Sequence, residues 1–562
     1  MPTGSRLLEP GRRRTHTMMV RGQEKLSCDV LVIGGGGAGL RAAIAAKSHN
    51  VDVLLVSKTK VGSNSNTYIS KAVIAATGWG TPDDDANALI ADTVQGGRFL
   101  NDQSMVAKVA ERSHAEITFL RECGVHFDMQ AGTPRVIKTP GHRYSRHVYG
   151  VNWSGSDLVI PLKRCAQQVG VRFVEHLFVT RLIADDNRIG GATGITSDGR
   201  YYAIRSKVVV LATGGYAHIY LNTNNVPGIT GDGQAMAYNL GIPLKDMEFV
   251  QFYPTATGKR GSRLILYERM LAQPGVVLRN GNGENILKQY GITDATKVTR
   301  DRLAQLIYKE MIKEDSPDQG VFMDTEDLPE ETAGRLSSLL PARWWKGQKR
   351  FKVAPTAHFC MGGIVTDQSG ETSLKGLFAV GEVTAGVHGA NRLGGNALAE
   401  IFSMGSWVGE MAVQRTLDIG TASVSKTAFE EERSRLEGAH SDEGLSLKAL
   451  IYELKQLMWN KVGVIRNKSG LREALDQLRE SYPRITVSSP KDLIRLLEFQ
   501  NMRCLAILVC RAALERNESR GSHYRSDYPK EDNRNWLKNV VLRRTNGGTV
   551  LEETPVSRRI TG

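Results

Sequence analysis

Three apolar strands that each end in a glycine turn, set far apart along the chain, predict an α/β protein built on a parallel, Rossmann-like nucleotide-binding sheet. Their separation predicts that an α+β domain is inserted into the first, and a glycine-poor last third dense in Glu, Arg and Lys predicts a C-terminal helical bundle domain. Residues 28–33 (Cys-Asp-Val-Leu-Val-Ile) read as a short buried strand and run into Gly34-Gly35-Gly36-Gly37-Ala38-Gly39, a helix-period segment over 40–50 and a second strand over 51–57. This is a βαβ unit. The run 208–215 (Val-Val-Val-Leu-Ala-Thr-Gly-Gly) repeats the pattern, as does 376–382. The nucleotide-binding domain is therefore expected over 27–248 and 353–420, with the inserted domain over 249–352, where charge and loops are denser. Residues 427–520 are expected to form a bundle of about three helices, and 521–562 a polar, irregular strap back over the body. Residues 1–26 carry Arg12-Arg13-Arg14 with no apolar stretch behind it, so they read as a disordered tail and not a secretory or twin-arginine signal. Met18 or Met19 is an alternative start.

At 562 residues, 41% hydrophobic and 23% charged, the chain has the composition of a soluble globular protein, which excludes disordered, collagen-like and membrane-spanning classes. No uncharged apolar run reaches the roughly 18 residues that a spanning helix needs, and 31–46 is broken by Arg41. The net charge is +14, of which +4 sits in residues 1–26, so the folded part is mildly basic and suited to anionic ligands such as nucleotides or carboxylates. No basic helix or recognition module is present, which argues against nucleic acid as a partner. Six cysteines (Cys28, Cys123, Cys165, Cys360, Cys504, Cys510) are too few and too scattered for a disulfide framework or a metal site, and imply a reducing compartment. Cys360 reads as a small core residue.

Gly34-x-Gly36-x-x-Gly39 between a strand and a helix permits a tight turn, close approach of the backbone to a pyrophosphate, and packing of helix on strand. The acidic residue that would bind an NAD ribose after the second strand is absent, because that strand ends Val56-Ser57-Lys58. A flavin-type site fits better. Further on stand Ala212-Thr213-Gly214-Gly215, Thr230-Gly231-Asp232-Gly233, Met247-Glu248-Phe249-Val250-Gln251, Pro355-Thr356-Ala357-His358-Phe359 with Met361-Gly362-Gly363, and His388 to Asn396. In these five ordered strings, from about residue 28 to about 540, the chain resembles the flavoprotein subunits of succinate dehydrogenase and fumarate reductase, whose relatives are L-aspartate oxidase and adenylylsulfate reductase. The resemblance implies an FAD-binding α/β domain, an inserted capping domain that closes over substrate, and a C-terminal helical domain. It also implies FAD contacts from Gly34, Gly35, Gly36, Gly37, Ala38, Gly39, Ser57, Lys58, Ser65, Asn66, Thr67, Asp232, Glu382, Ala397 and Leu398. Asp232 and Glu382 can accept hydrogen bonds from ribose or ribityl hydroxyls, and the helix beginning near Ala397 would aim its positive end at the reduced ring. Succinate dehydrogenases of the family tether FAD through the histidine of a Ser-His-Thr string. This chain has Ser65-Asn66-Thr67, so FAD is expected to be noncovalent.

On the substrate side the resemblance assigns Arg392 and His358 to a carboxylate clamp, Arg300 to the general acid that protonates carbon, and Glu268 to the proton shuttle. Three positions depart from the family: Tyr253 stands for a histidine, Tyr267 for a threonine beside Glu268, and Leu271 for an arginine on the proton path, for which Arg263 or Arg269 is a candidate replacement. Both tyrosines can donate to a carboxylate, yet they are bulkier and uncharged. Gly141-His142 is preceded by Lys138-Thr139-Pro140 and lacks the glutamate expected of an aspartate oxidase. The expected activity is interconversion of succinate and fumarate or a close analogue by hydride transfer at flavin N5. Alternatives are reduction of another 2-enoate (a substituted fumarate, an aryl or alkyl acrylate), an L-aspartate oxidase-like activity, or a decayed FAD-binding subunit. No cysteine cluster for iron-sulfur ligation is present, so electrons are expected to pass to a separate iron-sulfur subunit. The expected location is cytoplasmic, with peripheral association at the inner face of the membrane through partner subunits.

Overall fold

The computed structural model describes residues 19–556 apart from 186, 258–263, 267, 296–297, 314–319, 337–339, 420–425 and 482–483. Its largest sheet has seven strands. Strand Gln23–Ile33 lies at the centre, parallel to Val53–Val56 on one side and to Tyr201–Leu211 on the other. Arg172–Val174 extends it beyond Val53–Val56, Leu377–Ala379 pairs in parallel with the end of Tyr201–Leu211, and Leu177–Asp185 and Arg188–Thr196 add an antiparallel edge. Val30, Leu31, Val32 and Ile33 are all at most 4% exposed, as expected of a parallel strand covered on both faces. Helices Gly37–Lys47, Gln103–Glu122 and Asn396–Asp418 cover one face. Two glycines fix how closely the first helix sits: a Cβ on Gly34, where φ is +127°, would lie 2.1 Å from Ala212 O, and one on Gly39 would lie 1.9 Å from Gly34 O.

Between the two parts of this sheet domain stands a five-stranded antiparallel sheet in the order Leu264–Ile265, Val250–Thr257, Arg350–Cys360, Val321–Asp324, Val277–Arg279. Helix Arg300–Met311 packs on it, and Leu278, Leu306, Met323, Trp344 and Phe351 give this unit an apolar core of its own. Two strands, Val250–Thr257 and Arg350–Cys360, carry the chain in and out, so residues at their roots belong to both units.

Three expectations are corrected. Residues 19–26 are not part of a disordered tail, because Met19 and Val20 are 3% and 1% exposed against Phe178, Ile183 and Tyr201, and strand pairing begins at Gln23. Over 426–520 the described residues form four helices, not three, Lys426–Glu437, Leu447–Val462, Lys468–Arg479 and Pro490–Glu515, the last started by Ser489 accepting from the Asp492 amide. The strap is not irregular throughout: Lys538–Thr545 and Gly548–Pro555 form a hairpin that adds to Leu244–Lys245, with Val540 and Leu542 buried.

A fully buried arginine holds strap, bundle and sheet domain together. Arg516 donates to Glu248 Oε1 at 2.6 Å, Glu518 Oε1 at 3.0 Å and the backbone oxygens of Trp536 and Lys538. Arg466 donates to Glu248 O at 2.7 Å. Burial, then the neighbouring Glu248, pushes Asp246 up to about 7. Removing one partner of a buried pair leaves an uncompensated charge, so Arg516→Ala should lower the unfolding free energy by about 3–5 kcal/mol, read as a shift of the urea midpoint.

Candidate functional site

At the carboxyl ends of the parallel strands lies a cavity lined by Gly34, Gly35, Gly36, Gly37, Ala38, Ser57, Lys58, Ser65, Asn66, Thr67, Asp232 and Glu382. Helix Gly37–Lys47 opens onto it with Gly36, which has no side chain to cap with, at its N-cap, and the Gly37 amide donates to Thr67 Oγ1 at 3.2 Å. Thr213 Oγ1 at the same wall is buried with no hydrogen-bond partner in the protein. Lys58 reaches across to Asp232 Oδ2 at 2.6 Å and Glu498 Oε1 at 2.9 Å, tying the end of the second strand to the C-terminal bundle. Of the remaining expected contacts, Gly39 supports the turn, Leu398 packs in the apolar core behind it, and Ala397 packs beside Phe359 and Met361.

A second cluster forms where the inserted unit meets the sheet domain. Strand Arg350–Cys360 supplies His358, strand Val250–Thr257 supplies Tyr253, the start of helix Arg300–Met311 supplies Arg300, and the turn before helix Asn396–Asp418 supplies Arg392. The Tyr253 and His358 rings meet edge to face at 5.3 Å, and the Arg300 guanidinium lies 4.8 Å from the Tyr253 ring centre. Arg392 donates to Gln251 Oε1 at 3.0 Å and Leu393 O at 3.2 Å, and stacks 4.7 Å from the Phe359 ring centre. Burial, then Arg392 and Arg300, holds His358 well below the ordinary imidazole value, so its ring is neutral. Opposite, His142 and His147 both place Nε2 at Gly394 O, at 3.1 and 3.0 Å, and burial lowers His147 to about 4. The Gly394 backbone is thereby pinned close to both Thr139 and Arg300.

A chain of amides joins the two clusters. Asn66 Nδ2 donates to Asn225 Oδ1 at 2.7 Å and to Glu382 Oε2 at 3.4 Å, Asn225 Nδ2 donates to His358 O at 2.9 Å, and Asn224 Nδ2 lies 3.0 Å from His358 Nδ1. Glu382 accepts from the Cys360 amide at 3.1 Å, and burial pushes it up to about 7. Cys360 itself is fully buried.

An FAD-binding domain model matches residues 29–398 and a fumarate reductase flavoprotein C-terminal model matches 451–561. The sequence is 34% identical over 538 residues to a subunit of the fumarate reductase (CoM/CoB) of Methanothermobacter marburgensis, covering 93% of this chain and 98% of that one. It belongs to the succinate dehydrogenase and fumarate reductase flavoprotein family. The Escherichia coli fumarate reductase flavoprotein subunit is 32% identical over 577 residues, with 95% and 94% covered. Among solved structures, the FrdA chain of Escherichia coli quinol fumarate reductase superposes with a TM-score of 0.86 at 30% identity, covering 96% and 98%. Mycobacterium smegmatis Sdh1 in complex with UQ1 superposes at 0.87 and 31%, covering 95% and 96%. The chain is an FAD-dependent oxidoreductase.

The cavity fits the flavoprotein's cofactor: the helix start and glycine turn suit a pyrophosphate, Thr213 Oγ1 is left without a protein partner, and Asp232 and Glu382 line the same cavity. Tyr267 and Arg263 lie outside the described residues, as do the side chains of Glu268 and Arg269, which begin a short 3-10 turn, Glu268–Ala272. Leu271 is 8% exposed in the core of the inserted unit. Sequence reasoning gave no role to Gln251, Asn224, Asn225 or Thr139. Gln251 had a signal, an amide inside a matched string; the two asparagines, between the strings, had none. The cavity wall at Leu177, Phe178 and Val179 was equally silent, being an ordinary strand pattern.

A carboxyl raised in the folded state favours folding while protonated and loses that contribution when it must ionise. For Glu382 the contribution is complete below its ordinary value of 4.5 and is lost as pH rises through about 7. Flavin-free protein should therefore lose stability across that window, and Glu382→Gln should flatten the loss, measured as the thermal midpoint against pH.

Proposed function

We propose that this flavoprotein interconverts fumarate and succinate, or a close dicarboxylate analogue, and exchanges electrons with a separate iron-sulfur subunit. The observation that carries this reading is the convergence of Arg300, His358 and Arg392 from two structural units around Tyr253. Bound FAD supplies hydride transfer at N5. Arg392, held by Gln251, presents a guanidinium to one substrate carboxylate, and neutral His358 can share a hydrogen bond with it. The positive field that keeps His358 neutral is the field that favours a dianion. Arg300, from the inserted unit, delivers the proton to the substrate carbon, and Glu268 resupplies it. Tyr253 and Tyr267 take the second carboxylate. Closure of the inserted unit over the sheet domain brings Arg300 to the clamp and excludes water.

Asn66 cannot make the histidyl bond to flavin, and its amide is engaged with Asn225 and Glu382. FAD is accordingly noncovalent in this reading, which lowers the flavin potential relative to a tethered one and favours the reducing direction. Among the described residues no helix is long and apolar enough to cross a membrane. In the proposed assembly the subunit sits in the cytoplasm, reaching the inner face of the membrane through its partners.

A second reading, reduction of a bulkier or monocarboxylic 2-enoate, is favoured by Tyr253. It is 2% exposed and fills the place between His358 and Arg300 with a ring that carries no charge. Anaerobic stopped-flow reoxidation of the reduced flavin separates the two: rapid turnover with fumarate supports the first, and turnover confined to other enoates supports the second. In either case Arg300→Ala should slow reoxidation by about 10²–10⁴-fold while FAD stays bound. Acid precipitation should leave the flavin in the supernatant, and yellow colour in the pellet would overturn the noncovalent assignment.

A further inference from the structure

Six free cysteines are distributed over the described residues, and two of them meet. Cys123 caps the C-terminus of helix Gln103–Glu122, Cys165 lies on helix Ser156–Gln168, and their Sγ atoms are 2.9 Å apart. A disulfide bond is about 2.05 Å long, so closing the pair asks for a shift of about 0.9 Å, within reach of a side-chain rotation at a helix end. Both side chains are partly exposed, so a small reagent can reach them, whereas Cys360 and Cys510 are fully buried.

We propose that Cys123 and Cys165 are a reversible dithiol–disulfide site, oxidised by exchange with a low-molecular-weight disulfide. One thiolate attacks the small disulfide and releases a first small thiol. The other cysteine then displaces the second, so that one external S–S bond and two protein S–H bonds become one internal S–S bond and two small thiols. Burial and the hydrogen bond to Cys165 hold the Cys123 thiol above its ordinary value, which slows its own attack on the reagent.

The position of the pair gives the bond a structural effect. The helix bearing Cys165 packs on the pyrophosphate-facing helix Gly37–Lys47 and on the short helix Asn66–Ile69. The helix bearing Cys123 is tied to Gly37–Lys47 by Arg41, which grips Glu116 at 2.7 and 3.0 Å. A Cys123–Cys165 bond closes this triangle of helices. It also closes the loop that carries Thr139, His142 and His147 against Gly394. Oxidation should therefore stiffen the wall behind the cofactor and slow flavin release. In a reducing compartment, disulfides are chiefly of this reversible kind.

The test uses the FAD-loaded protein, reduced, desalted and incubated anaerobically with oxidised glutathione, then denatured, alkylated and peptide-mapped. Expected are loss of two of the six thiols, a peptide joining Cys123 to Cys165, and full reversal by dithiothreitol. Cys123→Ser and Cys165→Ser should each give a mixed disulfide with glutathione on the remaining cysteine and no internal bond. Thermal release of flavin fluorescence should move to higher temperature in oxidised wild type and stay unmoved in either variant. Retention of all six thiols, a crosslink between another pair, or two separate glutathione adducts on the wild type would overturn the proposal.

Discussion

The candidate site is organised by two guanidinium groups held beside one neutral imidazole. Arg392 is anchored in the sheet domain, and Arg300 begins a helix of the inserted unit. Placing like charges near each other inside a protein is unfavourable unless an anion joins them. In the proposed reaction this positive field favours a ligand bearing negative charge. The two arginines come from different units, Arg392 from the sheet domain and Arg300 from an inserted unit with an apolar core of its own, and both reach His358.

The supports around the clamp follow from the same requirement. Gln251 is fully buried and uses both ends of its amide, accepting from Arg392 and donating to Asn391 Oδ1 and Arg392 O. A carboxylate in its place would pair with the arginine as an ion; an amide orients the guanidinium without adding a charge. The Asn66, Asn225 and Asn224 chain applies this logic toward the flavin. It connects Glu382, raised by burial, to the backbone and ring of His358 without introducing a further charge. The Asn66 amide ties Asn225 and Glu382 together at the edge of the cofactor cavity.

The legible parts of the sequence were those in which backbone geometry forces a residue type. Gly34 and Gly39 stand where a Cβ would strike backbone oxygen, so the nucleotide turn is visible in the glycine spacing alone. His358 and Arg392 were singled out by resemblance, and the structure places the first beside Tyr253 and the second on Gln251. The amide network was not legible, because asparagine and glutamine are common on surfaces and only the folded chain shows that Gln251 and Asn225 are buried. The ordered start at Met19 and the hairpin over Lys538–Pro555 were missed for a related reason: two or three apolar residues suffice to seat a segment on a surface already built. Cys123 and Cys165 looked scattered because their helices meet side by side while the chain between them makes a long excursion.

The departure at Tyr253 bears on what the second half of the substrate must be. Its ring lies edge to face with His358 and offers a face to Arg300. The phenol therefore touches both cationic and neutral arms of the clamp and sets the distance between them. A histidine at that place would be buried beside Arg300 and held neutral as His358 is, so the difference a phenol makes is its larger ring and its hydroxyl, not its charge. In the proposed reaction the near end takes a carboxylate, and the far end would discriminate chiefly by shape, because a buried ring occupies the space there and a change of one methylene is felt by a packed pocket.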